Sequence, residues 1–209
     1  MGIKKIIVAA SVGALMAGSA YASTATGDIV DNDGFSTIYP SGETGTFGSN
    51  WWLIGGPAEI TVTMLGREAA DDNSFNFGGG AVEFQNSDFS NNAWSAVGFA
   101  SATFSNVASG LLDFAFSNPT RGTVANGANV LPASGGINWF SVLVNSQTLD
   151  LWFDDDNDTD DNHDDIAVRL QITGGGEFTP VPLPAAGWLL LAGVGGLAAL
   201  RRKKKSAVK

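Results

Sequence analysis

From residue 23 to residue 180 the chain never sustains a helical period. Apolar residues recur at alternate positions in short runs, and clusters of glycine, asparagine, serine or proline break each run. Side chains on a strand alternate between faces, so such runs read as half-buried strands. In 59–65, Ile60, Val62 and Met64 share one face while Thr61 and Thr63 take the other. In 166–172, Ile166, Val168, Leu170 and Ile172 share a face. The same reading predicts strands over Phe35–Tyr39, Trp51–Ile54, Glu59–Leu65, Ala81–Gln85, Val97–Phe104, Leu111–Phe116, Trp139–Val144, Leu149–Phe153 and Ile166–Ile172. Turns are expected at Gly55-Gly56-Pro57, Gly78-Gly79-Gly80, Asn118-Pro119 and Gly174-Gly175-Gly176. Many short strands without a long helix predict an all-β fold, a two-sheet β-sandwich or jelly-roll-like domain over 23–172. The glycine-rich span 173–180 is expected to be a flexible linker.

Both ends have a different character. Residues 1–22 carry Lys4 and Lys5, an apolar run from Ile6 to Ala17, and the triplet Ala20-Tyr21-Ala22. That order is expected of a secretory signal peptide cut after Ala22. At the other end Val181-Pro182-Leu183-Pro184-Ala185 leads into an apolar stretch from Ala185 to Leu200, then Arg201, Arg202, Lys203, Lys204 and Lys205. A bilayer core of ~30 Å takes about 20 helical residues, so 185–200 is expected to be a short, marginal transmembrane helix, with its basic end held inside.

The charge is divided unevenly. Outside the two ends the only basic residues are Arg67, Arg121 and Arg169, and all 21 acids lie there, which leaves a net charge of −18. Such a surface excludes nucleic acid as a partner, because phosphate binding needs basic patches. It attracts divalent cations instead. Cysteine is absent, so no disulfide holds the fold.

The acids concentrate in 154–165, where eight Asp, two Asn, one Thr and one His fill the gap between two expected strands. Calcium takes hard oxygen ligands, and calcium loops place them at positions 1, 3, 5, 7, 9 and 12. Counted from Asp154, these fall on Asp154, Asp156, Asp158, Asp160, Asn162 and Asp165. Asp161 and Asp164 add two further candidates. Position 6 is Thr159 rather than Gly, and no helices flank the loop, so it is not an EF-hand. Ca2+ suits this site better than zinc or iron, given one His and no Cys. The other reading is a solvated acidic loop that aids solubility. The second half, 160–165, is expected to be the fixed part because it abuts the strand at Ile166. Neighbouring carboxylates are expected to make His163 a cation rather than a base.

Trp51, Trp52, Trp94, Trp139 and Trp152 are read as core residues, with sugar stacking as the alternative role. Trp51 and Trp52 cannot both point inward on one strand, so one of them is expected at the surface as a possible glycan platform.

The C-terminal order, VPLPA followed by an apolar helix and a basic cluster, resembles the VPLPA variant of the PEP-CTERM sorting signal of Gram-negative bacteria. The resemblance implies Sec export, an inner-membrane intermediate recognised by an exosortase, and delivery to the cell surface or extracellular matrix. It also implies a setting of exopolysaccharide and biofilm. The stretch Asp160-Asp161-Asn162-His163-Asp164-Asp165 and the pairing of Gly66-Arg67-Glu68-Ala69 with Asn73-Ser74-Phe75 are similar to stretches in passenger domains of that group. They indicate kinship rather than activity.

For an enzyme the chain offers little. It has no G-x-S-x-G, no H-E-x-x-H and no phosphate loop. A glycoside hydrolase would need two carboxylates, for which Glu59, Glu68 and Glu83 are available but unpaired in sequence. Glu68 is expected to pair with its neighbour Arg67. The leading expectation is a non-catalytic, surface-sorted protein stabilised by calcium. A calcium-dependent carbohydrate-binding module is the alternative.

Overall fold

The computed structural model describes residues 25–27, 29, 33–80, 82–131, 136–155 and 162–180. The signal-cleavage residues Ala20 and Ala22, the motif Val181–Ala185 and the apolar stretch 185–200 lie outside the described residues. Among the described residues no helix is long and apolar enough to cross a membrane.

Among the described residues, fifteen strands and one short α-helix make the framework. In chain order they are β1 (Ala25–Gly27), α1 (Asp33–Ile38), β2 (Gly45–Phe47), β3 (Trp51–Ile54), β4 (Ala58–Arg67), β5 (Ser74–Phe77), β6 (Val82–Gln85) and β7 (Ala93–Trp94). There follow β8 (Ala100–Val107), β9 (Gly110–Leu111), β10 (Phe114–Asn118), β11 (Gly122–Ala125), β12 (Asn138–Asn145), β13 (Thr148–Asp154), β14 (Ile166–Gly174) and β15 (Glu177–Pro180). The all-β expectation holds, and the ladders are antiparallel.

The largest sheet runs β1-β2-β12-β13-β14-β4, with β7 and β8 both lying along the far side of β4. A second sheet runs β11-β10-β5-β6, and a third runs β15-β3-β9. One hydrophobic cluster draws on all three, including Leu53, Ile60, Phe75, Phe114, Leu151 and Phe178. The expected alternation on β4 is observed, with Ile60, Val62 and Met64 buried and Glu59 exposed.

β13 is buried along its whole length. Leu149, Leu151 and Phe153 enter the main cluster. Trp152 points to the other face and joins Phe140, Val142 and Ala167 under α1. There Phe35 meets Trp152 edge-on at 5.3 Å, and Trp94 stacks on Trp152 at 5.4 Å. Aromatic pairs of this kind add about 0.5–1.5 kcal/mol to the area they bury.

This arrangement corrects the strand expected at Phe35–Tyr39, which is helical instead. The bond from Tyr39 N–H to Phe35 C=O at 2.8 Å closes its turn. Phe35, Ile38 and Tyr39 are spaced i, i+3, i+4, so a single helical turn puts all three on the sheet. The expected run Leu111–Phe116 is divided between β9 and β10, which belong to different sheets.

The expected linker at 173–180 also differs. β14 extends through Gly174, and β15 pairs with β3 from Glu177↔Ile54 to Pro180↔Trp51. Phe178 is buried, and its N–H donates to Ser146 C=O at 2.7 Å. Gly175 and Gly176, with φ of 75° and 78°, turn the chain from one sheet into another. A Cβ at Gly175 would stand 2.7 Å from Pro57 O. The glycines here provide a tight corner rather than slack.

Gly98 performs a similar task before β8. Its φ is +80°, and an added Cβ would meet Thr63 Cγ2 and Met64 O. Gly98→Ala is expected to cost about 1–3 kcal/mol through backbone strain and overpacking. Urea unfolding checks this. An unchanged midpoint would mean that the turn relaxes freely.

Candidate acidic site

The Asp-rich segment leaves the sheet at the end of β13 and returns at the start of β14. Asp165 N–H donates to Phe153 C=O at 3.1 Å, which continues the ladder past its formal end. Asp155 N–H donates to the Asp165 carboxylate at 2.6 Å. Glu68 N–H, just past β4, donates to Asp164 C=O at 2.8 Å. These bonds fix the near parts of the loop. The candidates Asp156, Asp158, Asp160 and Asp161 lie outside the described residues.

Between these segments is a cavity of about 320 Å³. Asp155, Asn162, Asp164 and Asp165 line one part, and Glu68, Asp71 and Arg121 line the rest. Asp154, Asp155 and Asp164 are buried, at 1%, 6% and 3% exposure. Burial, reinforced by the charges of Asp155, Asp154 and Asp164, pushes the Asp165 carboxyl up to about 8, against a lowering by the Asp155 N–H bond. Asp165, a hard oxygen donor whose ionisation is opposed by burial, is suited to a cation, which would supply the missing countercharge. Among the described residues no three carboxylates converge closely enough to hold an ion by themselves.

The wall of this cavity is built by residues that the hydropathy pattern does not single out. Asn73 is fully buried and donates to Asp155 Oδ2 at 2.5 Å. Asn118 Nδ2 lies 2.9 Å from Asp71 Oδ2, 2.9 Å from Asn73 Oδ1 and 3.1 Å from Asp155 Oδ2. Asn118 Oδ1 accepts from Thr120 N–H at 2.8 Å and Arg121 N–H at 2.9 Å, fixing the β10–β11 turn. Asn86 Nδ2 donates to both Asp71 C=O, at 3.1 Å, and Asp165 C=O, at 3.0 Å. Arg121 Nη1 donates to Asp155 C=O at 3.1 Å. Three buried asparagines thus tie β5, β10 and the 3-10 turn Asn86–Asp88 to the acidic segment. In the sequence, the signals for this wall are the Asn73-Ser74-Phe75 stretch and the Asn118-Pro119 turn.

His163 is turned into the protein interior rather than towards solvent. It is fully buried, has φ of +58°, and its Nε2 is 2.8 Å from Asn138 Oδ1. Phe47 meets its ring edge-on at 5.4 Å. The left-handed backbone at His163 turns the side chain inward while Asn162 and Asp164 remain at the cavity.

The expected Arg67–Glu68 pair gives way to other contacts. Arg67 donates to Phe89 C=O at 2.8 Å and Ala69 C=O at 2.7 Å, and Glu68 faces the cavity. Glu59 is exposed and accepts from Thr173 Oγ1 at 2.7 Å. Glu83 lies on β6. Of the tryptophans, Trp51, Trp139 and Trp152 are core residues, which removes Trp51 as a stacking platform. Trp52 is 36% exposed on the opposite face of the same strand.

Fold and site together define a mostly β-sheet protein with antiparallel ladders and an acidic cavity at one loop. Comparison with protein-family models, curated proteins and solved structures yields no match to this chain.

Proposed function

We propose that this is a non-catalytic, exported protein sorted to the cell envelope or its exopolysaccharide matrix, with a β-sandwich domain stabilised by calcium. The sorting part rests on the tripartite C-terminal order from Val181 and on the resemblance to PEP-CTERM signals, with an exosortase and the inner membrane as its partners. The calcium part rests on one observation. The described ends of the Asp-rich segment are folded into a cavity, with Asp154, Asp155 and Asp164 nearly inaccessible to water. A loop serving only solubility would leave its carboxylates in solvent, where ionisation has no desolvation cost. Of the proposed ligands, Asn162, Asp164 and Asp165 line the cavity, and Asp154, Asp156, Asp158, Asp160 and Asp161 complete the set.

The test is calorimetric titration of CaCl2 into the full chain in non-ionic detergent, with melting followed in parallel. Heat saturating at or below ~1 mM, within the range of extracellular calcium sites, is expected, with an EDTA-reversible rise in Tm. Asp164→Asn is expected to weaken both. No heat and no shift at excess calcium would remove the metal from the reading.

A second reading, calcium-dependent carbohydrate binding, is favoured by a groove of about 470 Å³ lined by Ser36, Thr37, Glu68, Asn92 and Trp94. Glu68 also lines the acidic cavity. Hydroxyls, an amide, a carboxylate and one indole suit a sugar's mixed surface. Saturable glycan binding that EDTA abolishes would select this reading over the first.

A further inference from the structure

We infer, on the reading of 185–200 as a membrane-spanning segment, that the outward face of the sheet β15-β3-β9 lies against the lipid bilayer. Trp52, Ile54 and Leu111 then sit at the lipid–water boundary. Side chains alternate on β3, so Trp51 and Leu53 are buried while Trp52 and Ile54 are exposed. Leu111 on β9 is the cross-strand partner of Trp52 and shares its face. Trp52, Ile54 and Leu111 are 36%, 44% and 44% exposed. Apolar side chains scattered singly over a surface are ordinary, whereas a contiguous group points to a partner.

The course of the chain identifies that partner. β15 is the last strand among the described residues, and its final residue, Pro180, pairs with Trp51, next to Trp52. Only Val181, Pro182, Leu183 and Pro184 separate it from the apolar stretch that begins at Ala185. Even fully extended, the five steps from Pro180 to Ala185 span at most about 18 Å. Once 185–200 is in a bilayer, Pro180 is held within that distance of the hydrocarbon edge. The headgroup layer alone fills about 5–7 Å of it. Tethering makes the contact intramolecular, so a small patch suffices. Tryptophan suits such a boundary, with an apolar ring and a polar N–H.

The charges are placed to allow it. Eight of the 21 acids fall in 154–165, and Glu68 and Asp71 line the same cavity. β13 starts just after Ser146, whose carbonyl accepts from Phe178 N–H on β15, and it ends at Asp154. Strand geometry makes β13 about 20 Å long, more than twice the ~8 Å screening length at physiological salt. The acidic segment therefore stands away from β15. Glu177, paired with Ile54, is the one charged residue in the three strands, and at the boundary its carboxylate stays hydrated.

The natural chain has no cysteine, so a single introduced cysteine carries a fluorescent label without background. Ile54→Cys, Leu111→Cys and, as control, Ser87→Cys would each be labelled with nitrobenzoxadiazole in the full chain. Ser87 is exposed and lies in the turn that Asn86 ties to Asp165. Each chain would be reconstituted into phosphatidylcholine vesicles, with and without a headgroup-spin-labelled lipid, and floated on a density gradient. The labels at positions 54 and 111 are expected to be quenched several-fold more than the label at 87. Trp52→Asp in the Leu111→Cys chain is expected to lower that quenching towards the control value without changing flotation. A chain that floats but is quenched equally at 54, 111 and 87 overturns the docking and leaves the anchor intact. Quenching unchanged by Trp52→Asp would mean that the short tether alone brings the label to the lipid, which overturns it as well. A chain that does not float overturns the anchor reading, and the docking with it.

Discussion

Arg169→Met is expected to destabilise the fold by about 3–5 kcal/mol, the range for removing one partner of a buried ion pair. For a domain of this size that lowers Tm by about 6–20 °C. Asp150 is fully buried at the centre of β13. Arg169, its cross-strand partner on β14, contacts it through two bonds, Nε to Oδ1 at 2.7 Å and Nη2 to Oδ2 at 2.7 Å. The Tyr39 hydroxyl also donates to Asp150 Oδ2. Burial and the Asp150 charge raise the Tyr39 hydroxyl well above its usual range, so it remains a donor. Arg169 Nη1 reaches Ala96 C=O at 3.0 Å, ahead of β8. One carboxylate thereby fastens the C-terminal end of α1 to the middle of the sheet. Without the guanidinium, Asp150 retains a buried charge with only a hydroxyl to compensate it. The double variant Asp150→Leu/Arg169→Met is expected to lose less than the single one, because no charge is then left unpaired. Urea unfolding of both decides the matter. A single variant within ~1 kcal/mol of the natural chain would show that water reaches Asp150 easily.

The second large effect is a pH dependence centred on Asp165. Its folded-state carboxyl stands at about 8, against an ordinary value of 3.8. A raised value means that the folded chain keeps a proton which the unfolded chain releases. The stability contributed by this group is therefore complete below pH 3.8. It declines as pH rises towards 8, by up to ~1.4 kcal/mol per pH unit, and is constant above that. Asp165→Asn is expected to flatten this slope in EDTA and to make the metal-free chain more stable at pH 8. The amide oxygen can still accept the Asp155 N–H bond that the carboxylate accepts at 2.6 Å. With calcium present the order should reverse, because an ion repays the cost of ionising Asp165 and the amide cannot carry that charge. Calcium affinity should correspondingly rise with pH up to about 8, with release of one proton. Melting curves from pH 5 to 9, with and without calcium, measure all of these quantities. A natural chain whose stability rises with pH through this window in EDTA would contradict the assignment to Asp165.

The strands that were legible in the sequence are those whose burial depends on one sheet face. β4 alternates over 59–64 and β14 over 168–172, where the pattern fixes which side chains enter the main core, whereas Leu65 and Ala167 are buried on the opposite face under α1. α1 was misread because Phe35, Ser36, Thr37, Ile38 and Tyr39 are too few to separate a period of 2 from one of 3.6. β15 was read as a tether because a Gly-Gly corner and a Gly-Gly tether look the same in one dimension. What distinguishes them is the proximity of Pro57 O to Gly175, which depends on a residue more than a hundred positions away.

The site divides along similar lines. The Asp run identified itself by composition. Asn73, Asn86 and Asn118 did not, because a buried amide looks like any surface amide until its partners are known. His163 was placed among its sequence neighbours, although its φ of +58° turns it towards Phe47 and Asn138.

The sequence by itself determined the β character, the concentration of acid in one loop and the separate character of the two ends. These are local properties, set by side-chain period and composition. Tertiary structure alone decided which carboxylates are buried together and which tryptophan remains at the surface. Each of those depends on contacts between residues distant in the chain, where desolvation and packing, rather than local propensity, set the free energy.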